Sequence, residues 1–198
     1  MMVRQIGKAM ASMTGHEYAN LIADYIHYNF SDRSIRIYRE VSIGKSIIGK
    51  NRRVDMLLIS ETTDQAFAIE CKFQDSSGTA DEKIPYALQN MKALPMGGCI
   101  VYAGSGFSVG VLHMLQASEI AAYCLPDVQD ARRSTKETKE LDHVLAMNFQ
   151  WWDVLVAGKK VWEPRQSTSG LARESTVSQP EMAQTELLDR LEIRSELF

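Results

Sequence analysis

The stretch Ala66-Phe67-Ala68-Ile69-Glu70-Cys71-Lys72-Phe73-Gln74 holds the side chains best placed to do chemistry. Read as a strand, it puts alternate residues on one face. Phe67, Ile69, Cys71 and Phe73 then turn to a core, while Ala68, Glu70, Lys72 and Gln74 turn the other way. A carboxylate and an ammonium two residues apart can meet one small ligand. Upstream, Val54-Asp55-Met56-Leu57-Leu58 places a lone Asp near the start of the preceding apolar segment. If the two segments pair, Asp55 and Glu70 converge, although the pairing register is not legible in the sequence. Hard carboxylate oxygens suit Mg²⁺ or Mn²⁺, which keeps several waters and bridges to a substrate phosphate. A lysine beside such an ion can orient the attacking water, help deprotonate it and offset charge building on phosphorus oxygens. That set is sufficient to hydrolyse a phosphodiester. A meander strand with one wet face gives a similar alternation. Against that bland reading, Ala66 and Ala68 share the Glu70/Lys72 face, and charge in an apolar strand is costly unless partnered or ligating.

The elements that must position these groups follow from periodicity. Thr14-Gly15-His16-Glu17 reads as a capping box opening a helix over 14–30, with Tyr18, Leu21, Ile22, Tyr25 and Ile26 at helical spacing. Residues 35–43 alternate as a strand. Residues 54–60 and 66–73 are two further strands, joined by the polar run 61–65 as a hairpin or meander. Pro85 sets the first turn of a helix reaching Leu94, because proline tolerates that position and disfavours helix at Ile84. Gly97-Gly98 launches a buried strand over 99–103. Residues 111–116 are helical, 120–125 form a short last strand, and 141–157 form one helix carrying Trp151 and Trp152, read as core or dimer contacts with core favoured. The order helix, three strands, helix, strand predicts an α/β fold with a mixed central sheet flanked by helices. The expected domain covers 1–162. Residues 163–198, rich in Ser, Thr, Gln and charge, read as a polar mobile tail with a short amphipathic helix over 182–197.

Asp55, fourteen intervening residues, then Glu70-Cys71-Lys72 resembles the PD-(D/E)xK motif of the restriction-endonuclease-like nuclease superfamily. The element order over residues 14–104 is similar to that superfamily's common core. The resemblance implies that Asp55, Glu70 and Cys71 hold the metal, Mg²⁺ or Mn²⁺, and that Lys72 is the catalytic lysine. Glu17 matches the helical glutamate that supports the metal in many members, and Gln74 matches a polar position found after the lysine in some branches. Val54 stands where the motif has proline. The implied activity is a DNA endonuclease of restriction or phage type, often homodimeric and acting on duplex DNA. Two other classes compete: the same fold kept as a DNA- or protein-binding subunit without a competent site, and a nuclease directed at RNA or at branched or damaged DNA.

Composition sets the remaining bounds. The chain has 198 residues with net charge −3 and 45% hydrophobic residues, which excludes a disordered polyelectrolyte and gives no generic basic nucleic-acid binder. The charge is unevenly spread, however: residues 1–60 carry nine basic and five acidic side chains, residues 61–125 three and seven. Lys45, Lys50, Arg52 and Arg53 cluster just before Asp55, and Lys83 follows the active strand, so these five are candidates for contact with a nucleic-acid backbone. Glu40 reads as a solvated strand residue. Cys71, Cys99 and Cys124 lie in apolar stretches without C-x-x-C spacing, so neither a disulfide framework nor a zinc site is expected. With no membrane-spanning run and no signal-peptide pattern, a cytoplasmic location and no membrane partner are expected. The four histidines have no metal-ligand spacing. Gly104-x-Gly106-x-x-x-Gly110 lacks the P-loop ending and misses the dinucleotide spacing.

Overall fold

The computed structural model describes residues 13–76 and 80–164. The chain divides into two units, Met1–Lys159 and Lys160–Phe198. Every helix and strand among the described residues lies in the first; of the second, residues 160–164 are described and carry no regular structure. The expected tail helix over 182–197 falls outside the described residues.

Helix α1 (Gly15–Phe30) begins with the capping box read from the sequence. The Thr14 hydroxyl accepts from the Glu17 N–H at 3.2 Å, and Glu17 Oε2 accepts from the Thr14 N–H at 2.7 Å. Tyr18, Ile22, Tyr25 and Ile26 recur along one stripe and are fully buried. A 3-10 turn (Ser31–Arg33) then leads into three antiparallel strands: β1 (Ile35–Lys45), β2 (Asn51–Ser60) and β3 (Ala66–Phe73). Helix α2 (Ala80–Lys92) crosses to β4 (Gly97–Ala103), which runs parallel to β3, and α3 (Val109–Gln116) crosses to β5 (Ala121–Tyr123), parallel to β4. Helices α4 (Lys139–Phe149) and α5 (Trp152–Leu155) close the unit. The sheet is five-stranded and mixed, in the order β1-β2-β3-β4-β5. It is the α/β architecture with helices on both faces that the element order predicts.

β3 packs on both of its faces. Phe67, Ile69 and Cys71 pack with α1 and α4 residues such as Ile22 and Leu145 on one side. Ala68 packs with Val54 and Met91 of α2 on the other. Burying a side chain such as Ile69 is worth ~1.5–3 kcal/mol relative to exposure, so packing on both faces stabilises β3 in place. All three cysteines are buried and free.

Two boundaries differ from the sequence reading. Helix α2 starts at Ala80, five residues before Pro85. Pro85 withholds one backbone hydrogen bond, but the Asp81 carboxylate holds the first turn by accepting from the Ser108 N–H at 3.0 Å and the Gln74 amide at 3.2 Å. The expected helix over 141–157 breaks at Gln150, whose φ of 61° puts it in the left-handed region. The break lets Trp151 stack between Phe30 (5.1 Å) and Phe149 (5.0 Å), while Trp152, expected in the core, is exposed.

A buried polar cluster ties α1 to α4. The Tyr25 hydroxyl donates to Asp142 Oδ1 at 2.5 Å and Ser134 Oγ donates to Asp142 Oδ2 at 2.6 Å. Burial pushes the Asp142 carboxyl above the usual carboxylate range, against the pull of these two hydrogen bonds. A carboxyl raised in the folded state contributes stability that is full below its unfolded value of about 3.9 and is lost as pH rises through the folded value. Asp142→Asn keeps the shape and cannot ionise. Urea unfolding at pH 4 and pH 7 is therefore expected to show the wild type losing stability with rising pH relative to the variant. Parallel pH profiles would refute the assignment.

Candidate active site

Asp55 lies where two strands reverse their faces together. Ile35 and Ile37 pack toward α1, whereas Val41 and Ile43 pack with the cluster around Met91 of α2. On β2 the same reversal separates Met56 and Leu58 from Val54. The pairing stays in step across it, with Arg39 opposite Met56 and Val41 opposite Val54. The residues between are Glu40 and Asp55. Glu40 takes a φ of 54°, and this local twist is the kind of irregularity that re-aims a side chain at an active site.

The reversal also ends the β2–β3 ladder, whose last pair is Met56 with Ile69. Beyond it the Asp55 side chain takes over the ladder's role: Oδ2 accepts from the Cys71 N–H at 2.7 Å. In a strand the N–H and C=O of one residue point the same way, so the Cys71 carbonyl is directed to this same side. Arg39 fixes the other end of the residue. Its Nε donates to the Asp55 carbonyl at 3.1 Å, and its Nη1 donates to the Ala19 carbonyl at 3.2 Å and to Asn20 Oδ1 at 2.7 Å. Asp55 is thereby braced against α1.

Glu70 and Lys72 project together from β3. Lys72 Nζ lies 2.6 Å from Glu70 Oε1, and each side chain is about three-quarters shielded from solvent. Burial pushes the Glu70 carboxyl up; the Lys72 ammonium opposes this, and the charges of Asp55 and, more weakly, Glu40 reinforce it. The two acids thus feel one another, and the local field favours a further cation.

A cleft of ≈ 370 Å³ opens above this pair, between β2, β3 and α2. Glu70, Lys72 and Arg52 contribute polar groups to it, and Tyr86, Met91 and Leu94 contribute apolar walls. Asp55 is not part of the cleft wall. It reaches the site through the Cys71 amide and through its field on Glu70.

The other residues singled out by sequence divide sharply. Glu17 is exposed, and its carboxylate is held low by the Thr14 backbone and hydroxyl; its hydrogen bonds go to Thr14, not to Asp55, Glu70 or Lys72. Gln74 is buried. Its amide donates to the Gly106 carbonyl at 2.7 Å and to Asp81, joining the end of β3 to α2 and the loop after β4. The Cys71 thiol faces the core on the opposite side from Glu70, and burial pushes it far above the usual thiol range. What Cys71 offers the site is its backbone. Lys45 is tied to Asn51, and Arg53 to Glu40 at 2.9 Å; Lys50 and Lys83 are exposed. Arg52 corrects the picture of an exposed basic turn. It is only 6% exposed, and its Nε and Nη2 donate to Asn90 Oδ1 of α2 at 3.1 and 2.6 Å.

Sequence reasoning missed Arg39, Tyr86 and Asn90, and it read Glu40 only as a solvated strand residue, which is exposed in the structure. Arg39 and Glu40 matter because of the reversal at Asp55, and Ile35, Ile37, Val41 and Ile43 alternate without any break that would reveal it. The helical spacing of Lys83, Tyr86 and Asn90 was the one available signal, since it puts three hydrogen-bonding or aromatic residues on one side of α2.

The glycines after β4 serve close packing. A Cβ on Gly104, whose φ is 109°, would lie 2.1 Å from the Gln74 carbonyl oxygen, and one on Gly106 would lie 2.4 Å from that of Ser76. Only glycine lets this loop seat against the end of β3.

A mixed sheet flanked by helices, with an acid on the second strand and Glu-x-Lys on the third, defines a restriction-endonuclease-like α/β domain. The chain belongs to the PD-(D/E)XK nuclease superfamily, whose domain model matches residues 14–152. Among solved structures it is similar to a protein of unknown function, 13% identical over 52% of this chain and 56% of that one, with a TM-score of 0.35. It is also similar to a repair endonuclease from Pyrococcus abyssi, 16% identical over 49% of this chain and 42% of that one, with a TM-score of 0.29. The chain spans about half the length of each. No curated protein matches it. Among the described residues, no helix is long and apolar enough to cross a membrane.

Proposed function

We propose that the protein is a metal-dependent endodeoxyribonuclease, with Asp55, Glu70 and the Cys71 backbone as the metal-binding groups and Lys72 as the catalytic cation. The observation that carries this reading is the joint placement of Glu70 and Lys72 in the wall of one cleft, with the Asp55 charge acting on Glu70. The donor set fits a hard divalent cation. Among the described residues no three His, Cys, Asp or Glu side chains gather into a ready-made cage. Two carboxylates and a carbonyl match Mg²⁺ or Mn²⁺, which keeps several waters and takes further oxygens from substrate phosphate. When bound, such an ion supplies Lewis-acid stabilisation of the phosphoryl oxygens and a more acidic water.

The protein's own groups do the rest. Asp55 is held rigidly by the Cys71 amide and the Arg39 brace, so little reorganisation is needed. The Lys72 ammonium, beside Glu70 in the cleft, would steer the attacking water and meet the negative charge developing on the phosphate. Restriction-type or phage-associated action on duplex DNA, a homodimeric state and a cytoplasmic location remain part of this reading from the motif resemblance. Supercoiled plasmid incubated with Mg²⁺, with Mn²⁺ or with EDTA tests it. Nicking or linearisation is expected with either metal and none with EDTA. DNA binding without cleavage under every metal condition would favour the binding-subunit reading instead.

A further inference from the structure

Arg52 is a buried cation with no anionic partner among the described residues. The residue is only 6% exposed, yet the hydrogen bonds its guanidinium makes among the described residues go to the neutral Asn90 amide oxygen. Buried charges are ordinarily paired. Arg52 lines the same cleft as Glu70 and Lys72. A second observation concerns what else walls that cleft. Tyr86, 38% exposed, stands on α2 one turn beyond Lys83, beside the apolar Val54, Met91 and Leu94. The site at which a phosphodiester would be cut is therefore joined to an anion-seeking guanidinium and to an apolar, aromatic wall.

We propose that this cleft is a nucleotide subsite that takes an unpaired nucleotide of a single-stranded nucleic acid, with its base against Tyr86 and a backbone phosphate on Arg52 and Lys83. Base faces within a duplex are stacked on their neighbours and cannot meet an apolar wall, whereas an unpaired base presents a free π-face. At ≈ 370 Å³ the cleft is of a size to take one nucleotide. The guanidinium gives a charge-assisted hydrogen bond to phosphate, and the tyrosine gives affinity that does not depend on base identity. The inference rests on Glu70 and Lys72 being the reacting centre, and it narrows the substrate there to a single strand, a frayed end or an unpaired position in a duplex. Deoxyribose and ribose strands share this chemistry.

The test reads binding and cleavage separately. Fluorescence anisotropy of the full chain with labelled single-stranded DNA, single-stranded RNA and blunt duplex DNA is measured in Ca²⁺, alongside Tyr86→Ala, Tyr86→Phe and Arg52→Gln, each checked for folding by thermal melting. Single strands are expected to bind more tightly than the duplex. Tyr86→Ala is expected to weaken single-strand binding by roughly tenfold, as loss of one stacked base does, with Tyr86→Phe near wild type. Arg52→Gln is expected to weaken binding and flatten its salt dependence. The DNA and RNA arms decide which strand is taken. Equal affinity for duplex and single strands together with an unaffected Tyr86→Ala would overturn the subsite. Plasmid cleavage in Mg²⁺ is scored independently, so a nuclease without this subsite, or a subsite without nuclease activity, is distinguished directly.

Discussion

Lys72→Ala is expected to reduce metal-dependent plasmid cleavage by on the order of 10²–10³-fold or more, the range for removing one preorganised charge-stabilising group. The fold should survive. Lys72 sits where β3 pairs in register with β4, Lys72 against Tyr102, and its side chain is not among those forming the core. What the substitution removes is the ammonium 2.6 Å from Glu70. Because Lys72 is the main group opposing the upward push on the Glu70 carboxyl, its loss also makes Glu70 easier to protonate, and residual activity should fall further as pH is lowered. Raising Mg²⁺ should not restore the rate if Lys72 acts on water and phosphate rather than on the ion. Cleavage equal to wild type in a folded Lys72→Ala protein would remove Lys72 from the reaction.

Asp55 admits a sharper dissection, because its carboxylate has a structural partner and a proposed metal partner at once. Asp55→Asn retains an oxygen that can accept from the Cys71 N–H but loses the charge. Asp55→Ala loses both, leaving that amide without the acceptor it has beyond the end of the β2–β3 ladder. Unfolding in denaturant is expected to find Asp55→Ala destabilised by ~1–3 kcal/mol, the penalty for an unsatisfied buried donor, with Asp55→Asn nearer wild type. Cleavage should collapse in both by roughly 10²–10⁴-fold, since a ligand to the cation supplies several kcal/mol of charge stabilisation. The asparagine variant should also need more Mg²⁺ to reach its own maximum, unlike Lys72→Ala. If Asp55→Asn cleaves normally, Asp55 is only a ladder cap.

The Glu70–Lys72 pairing was legible because strand alternation is a local rule: the two residues share a face whatever the rest of the chain does. The capping box was legible for the same reason, since Thr14 and Glu17 are three residues apart on one turn. Helix α2 was misjudged at its start because Asp81 holds the first turn through Ser108 and Gln74, partners that lie far along the chain or on another element. The single helix expected over 141–157 failed where a left-handed Gln150 turns Trp151 into a stack with Phe30, a contact spanning most of the domain.

The sequence by itself determined the element order, the α/β class and the shared face of Glu70 and Lys72, because each depends on neighbours within a few positions. Only the tertiary structure decided that β1 and β2 reverse their faces together at Glu40 and Asp55, that Arg39 braces the Asp55 carbonyl, and that Arg52 is buried against Asn90 in the wall of the cleft. Those features arise from pairing register and from packing between distant elements. Neither quantity has a signature in the local spacing of residue types.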